Sequence, residues 1–78
     1  MRRYDLRGCE QDFKTRLLEV LSKGLDKEVL IFIFESVPDN RLREIINAIR
    51  EKNGEVLNSL KFNELDWTIV VRVNSLNE

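Results

Sequence analysis

The sequence predicts an α/β fold, a two-layer βαβαββ sandwich in which two helices cover one face of a mixed four-stranded sheet. Three observations carry that expectation. Glu28 to Phe34 reads Glu-Val-Leu-Ile-Phe-Ile-Phe, and its six consecutive apolar residues are β-branched or aromatic in all but one case. The run does not alternate with polar residues, so both faces of the strand need cover and it belongs inside a sheet. Stretches with apolar residues at helical spacing lie on either side of it. Two further strand-like runs, joined by a short link, close the pattern.

In chain order, Arg3 to Leu6 forms a short first strand with Tyr4 and Leu6 on one face. Arg7-Gly8 breaks it. From Gln11 to Lys23 the period becomes helical, with Phe13, Leu17, Leu18 and Leu21 as the apolar stripe. Asp12 is placed to cap this helix and Gly24 to stop it. The helix leads into the central strand, so the two strands are expected to be parallel with a right-handed connection.

After Phe34, Ser36-Val37-Pro38-Asp39 announces a second helix, with Ser36 as cap and Pro38 in the first turn. Leu42, Ile45, Ile46 and Ile49 form its buried stripe, and Asn53-Gly54 ends it in a left-handed conformation. The next strand starts near Val56, and unbroken alternation puts Val56, Leu60 and Phe62 on one face. Leu57, Ser59 and Lys61 fall on the other. Asn63 to Asp66 links it to a last strand, Trp67 to Val73, whose Trp67, Ile69, Val71 and Val73 point to the core. The short link makes this pair an antiparallel hairpin. Asn74 to Glu78 reads as a polar tail.

Seventy-eight residues make one domain, 1–78, near the lower limit for a self-sufficient core. Thirteen basic residues stand against 14 acidic ones, with a pI near 5.5, which makes a nucleic-acid partner an unfavoured reading. One cysteine, no histidine, no signal-like segment and no run of membrane length point to a cytoplasmic protein with no membrane partner. Without histidine, His-based triads and the common zinc patterns are excluded. No cofactor is expected.

The element order and several short motifs resemble the TusA/SirA-like sulfur-carrier family. Asp5-Leu6-Arg7-Gly8 matches the first half of that family's Asp-x-Arg-Gly-Leu-x-Cys-Pro-x-Pro box. Glu35 and Pro38 resemble its acidic residue and the proline opening helix two. Gly54-Glu55-Val56-Leu57 and Trp67-Thr68-Ile69-Val70-Val71-Arg72 resemble its closing patterns. The Cys-Pro-x-Pro half is missing. An ungapped alignment puts Gln11 at the family cysteine, and a two-residue deletion after Gly8 puts Cys9 there.

The resemblance implies a carrier thiol on Cys9 that accepts persulfide sulfur from a donor protein and passes it to an acceptor. Arg7, Asp5 and Gly8 would shape and charge the turn that holds it. A thiolate at a helix start beside Arg7 is favoured, while Glu10 and Asp12 oppose it by like charge. A second reading is a family member without thiol chemistry, acting as an interaction or regulatory subunit. A third, nucleic-acid binding, is disfavoured by the acidic balance. The central strand is apolar on both faces while the helices cover one. Self-association as a homodimer, or partner binding, is therefore expected through the open sheet face.

Overall fold

The computed structural model describes residues 2–9, 12–61 and 63–74. Its elements run β1 (Arg2–Asp5), α1 (Phe13–Ser22), β2 (Val29–Glu35), α2 (Asp39–Glu51), β3 (Gly54–Lys61) and β4 (Asp66–Val73). The sheet order is β1-β2-β4-β3. β1 runs parallel to β2, whereas β4 is antiparallel to both β2 and β3. The βαβαββ order and mixed four-stranded sheet are those the sequence predicts.

The apolar run in β2 works as its composition requires. Leu30, Phe32 and Phe34 are buried on the helix side, and Ile31 and Ile33 are half-buried on the opposite side. From α1, Phe13, Leu17 and Leu21 enter the core; from α2, Ile45 and Ile49 do so. Ile69, Val71 and Val73 of β4 complete it, with Trp67 half-buried at its margin. Phe13 stacks on Phe34 with centroids 5.0 Å apart, and Tyr4 on Phe32 at 5.7 Å. These contacts fix α1 and β1 against the central strand.

The helix ends differ in detail from the sequence expectation. Asp12 occupies the N-cap of α1 but makes no side-chain capping bond. Ser36 does not cap α2: the helix starts at Asp39 with Pro38 at the N-cap, and the Ser36 N–H donates to Leu65 O at 2.8 Å. The link between β3 and β4 has claimed that backbone group. Asn53, at φ 64°, supplies the left-handed residue after α2. Gly54 opens β3, where a Cβ would lie 2.6 Å from Ile49 Cγ2.

β3 departs from simple alternation. Val56 pairs with Val71, but the next registered pair is Asn58 with Val70, so Leu57 is an extra residue in a bulge. Beyond the bulge the faces exchange. Ser59 lies opposite Ile69 on the helix side, and Leu60 lies opposite Thr68 on the open side, 58% exposed. Leu60 therefore does not share the face of Val56. The expected place of Phe62 lies outside the described residues, as do Glu10, Gln11 and the tail beyond Asn74.

Candidate functional site

Asp5, Arg7, Gly8 and Cys9 come together where β1 gives way to the turn before α1. Gly8 has φ 86°, a left-handed conformation that a side chain would strain. The turn is held by backbone bonds: Cys9 N–H donates to Leu6 O at 3.2 Å, and Asp12 N–H donates to Cys9 O at 2.9 Å. Leu6 is buried between these groups and anchors the turn in the core.

Arg7 is the hub. Its Nε donates to Asp5 Oδ1 at 2.9 Å, and its Nη2 to Asp5 Oδ2 at 2.6 Å, a bidentate pair. The Arg7 N–H also donates to Asp5 Oδ1 at 3.0 Å, and Nη1 reaches Asp66 Oδ2 at 3.2 Å. Asp66 is held in turn by Asn63 Nδ2 at 3.2 Å. The Gly8 N–H donates to Glu35 Oε1 at 3.1 Å. Three strands are therefore tied together at one end of the sheet: β1 through Asp5, β2 through Glu35 and β4 through Asp66.

The electrostatics follow from that geometry. Hydrogen bonds from the Arg7 side chain, then from its backbone N–H, lower the Asp5 carboxyl to about 2. The same pairing raises Arg7 above its ordinary value. Such a carboxylate stays ionised at neutral pH and is badly placed to exchange protons there. The guanidinium is occupied by two carboxylates of its own chain, so it offers a substrate anion little. This constellation shapes a turn and staples strands.

Cys9 is half-buried, and its side chain packs against the core. Gln11, the other candidate for the carrier position, lies outside the described residues. Among the described residues, no group of three or more His, Cys, Asp or Glu side chains is arranged to hold a metal ion. No helix among them is long and apolar enough to cross a membrane.

A second feature lies on the open side of the sheet. A shallow hollow of about 340 Å³ is lined by Ile31, Ile33, Thr68, Val70, Leu60 and Arg3 among others. The apolar run of β2 signals Ile31 and Ile33 in the sequence. Leu60 joins them only because of the bulge, which no residue pattern announces. Most of the floor is aliphatic, and charged side chains stand at its ends.

Fold and site together define a small two-layer α/β domain whose charged cluster is internally satisfied and whose sheet is open on one face. It belongs to the family described as the putative E subunit of NADH-ubiquinone oxidoreductase, whose model matches residues 1–73. It is similar to HP1264 from Helicobacter pylori, known from a solution structure. Sequence identity is 42%, the match covers 96% of this chain and 100% of that one, and the TM-score is 0.69. Comparison with curated proteins gave no match.

This family assignment overturns the TusA/SirA-like resemblance, and with it the sulfur-carrier function and the persulfide relay expected at Cys9. The motif that suggested them, Asp5-Leu6-Arg7-Gly8, has a local physical explanation. Asp5 accepts from the backbone and side chain of Arg7 two residues on, and Gly8 provides the left-handed turn. A strand-to-helix turn can use that arrangement without any thiol chemistry.

Proposed function

We propose that this protein is a small subunit of an NADH–ubiquinone oxidoreductase-type assembly, where it contributes binding surface and holds no electron-transfer centre on its own side chains. The family match across residues 1–73 carries this reading. Its second half follows from donor chemistry. Iron–sulfur centres are held by four thiolates, or by thiolates together with imidazoles. The 78 residues contain one cysteine and no histidine, so they do not fit such a centre. The three glycines, Gly8, Gly24 and Gly54, stand too far apart to form a glycine-rich dinucleotide loop.

The experiment is to purify the NADH–ubiquinone oxidoreductase of the source cells through a tag on another subunit. Quantitative mass spectrometry then measures this protein in the intact assembly, and a deletion strain is assayed for assembly and NADH–quinone reductase activity. Near-stoichiometric presence and impaired assembly on deletion are expected. Absence from the purified enzyme, with assembly and activity unchanged in the deletion strain, overturns the proposal.

A further inference from the structure

We infer that the open sheet face is a self-complementary docking surface, and that its occupant is a second copy of this chain packed face to face with its strands running in the opposite direction. The inference goes beyond the subunit assignment and does not depend on it. It rests on how strand register distributes charge across the face.

Register places the outward residues in levels. At one level Arg3, Ile31, Val70 and Asn58 stand side by side; at the next stand Asp5, Ile33, Thr68 and Leu60. Outside the first level lie Val29, Arg72 and Glu55, and outside the second lie Glu35 and Asp66. The middle of the face is aliphatic, with Ile31, Ile33 and Val70 all half-buried. One end carries Arg3 and Arg72 against the single carboxylate of Glu55. The other carries Asp5, Glu35 and Asp66 against Arg7 and Lys61, the latter lining the same hollow, and so keeps a net negative charge. The two ends therefore differ in sign.

A two-fold axis lying across the strands, between the two central levels, brings each end onto the opposite end of the second copy. Arg3 then faces Asp5 of that copy and Arg72 faces its Asp66. Ile31 meets Ile33, and Val70 meets Thr68. Arg3 makes no ion pair among the described residues, so the contact gives it one. An axis running along the strands does the reverse, stacking Glu35 on Asp66 in both directions. Charge selects the crossed arrangement. Two sheets packed in this way would lie about 10 Å apart, the spacing of an aligned sandwich.

The size of the face sets the strength. Three strands of seven or eight residues and the four-residue β1, about 4.8 Å apart at about 3.4 Å per residue, outline roughly 440 Å² per copy. That is a little under a tenth of the 5339 Å² accessible surface. The total, roughly 900 Å², lies just below the usual range for a stable specific complex, so the dimer is weak and dissociates on dilution.

The test is sedimentation equilibrium of the purified protein from about 10 µM to about 1 mM, a range that brackets weak association. It is joined by isotope-filtered nuclear Overhauser measurements on a mixture of labelled and unlabelled copies. A concentration-dependent dimer is expected, with intermolecular contacts between Ile31 and Ile33 and between Val70 and Thr68. Ile33→Lys should abolish it, and Arg3→Glu should weaken it at least about tenfold at low salt and less in about 0.5 M NaCl. Circular dichroism confirms that each variant is folded. A strict monomer throughout overturns the inference, and a dimer indifferent to both substitutions does so too. Intermolecular contacts between Ile31 and Val70 would overturn the crossed arrangement. A monomer that still enters the oxidoreductase would sink this inference and leave the subunit assignment standing.

Discussion

Trp67 Nε1 donates a 2.8 Å hydrogen bond to Ser59 Oγ across the β3–β4 pair, at the half-buried margin of the core. The bond exists because the bulge in β3 turns Ser59 toward the helices. Ser59→Ala leaves the indole N–H without this partner, and the expected loss is about 1–2 kcal/mol of stability. Urea unfolding followed by circular dichroism measures it. Trp67 is the sole tryptophan, so its fluorescence reports the same change directly. An unchanged midpoint and an unchanged emission maximum would show that the bond contributes nothing.

The bulge yields a second expectation. Val56 is half-buried against the core, while Leu60 is 58% exposed. At concentrations where the protein is monomeric, Leu60→Lys should change stability by less than about 0.5 kcal/mol. Val56→Lys should cost more than about 2 kcal/mol, because the charge must leave the core margin or be buried there. Equal penalties at the two positions would mean that they share a face and that the register continues without a bulge.

Three glycines separate two kinds of constraint. A Cβ at Gly54 would meet Ile49 Cγ2 at 2.6 Å and both Ile49 O and Val71 Cγ1 at 3.1 Å. Gly54→Ala should therefore cost about 2–3 kcal/mol. At Gly24 the close neighbour is Val73 Cγ2 at 2.7 Å, near the end of β4, and about 1–2 kcal/mol is expected. Gly8 has open space around it but φ 86°, so Gly8→Ala should cost about 1 kcal/mol through the backbone alone. Denaturation midpoints in the order Gly24→Ala below Gly54→Ala would contradict this account.

Acid should weaken the fold in a defined window. The Asp5 carboxyl lies at about 2 in the folded chain against an ordinary 3.8, so its contribution is complete above about 3.8 and lost as pH falls through about 2. Glu28 is lowered as well, first by the Leu25 N–H, and Glu44 by Lys14. Stability should therefore decline as pH falls below the ordinary carboxylate range, with the Asp5 contribution lost as pH falls through about 2. Thermal melts of Asp5→Asn should show a flatter acid limb than the native protein, with the difference shrinking at high salt. Superimposable limbs would remove Asp5 and Arg7 from the account of acid stability.

The parts of this molecule legible in its sequence are those decided by local chemistry. Six apolar residues in a row can only be satisfied inside a sheet, and Leu17, Ile45 and Ile49 follow a helical period that tertiary packing preserves. The helix starts are less legible. Ser36 has the right side chain to cap α2, yet the helix starts at Asp39 with Pro38 at the N-cap, and the Ser36 backbone is held instead by Leu65, which is 29 residues away along the sequence and adjacent only after folding. The exchange of faces in β3 is hidden for a similar reason, since Leu57 bulges in response to pairing with β4. The turn residues Asp5 to Gly8 look like chemistry in the sequence, because a motif records which side chains are present and not whether their charges are already satisfied.

The sheet order has a consequence for how the protein acquires its structure. β4 comes after every other element in sequence, yet it lies between β2 and β3 and pairs with both. Until it is available, β2 has only the short β1 beside it and β3 has no strand neighbour at all. On a ribosome, most of the polypeptide would emerge with its apolar central strand half-paired, exposed to chaperones and to other nascent chains. The sheet would then close in one late step, bringing together residues far apart in sequence, and folding should be slower than the protein's small size suggests.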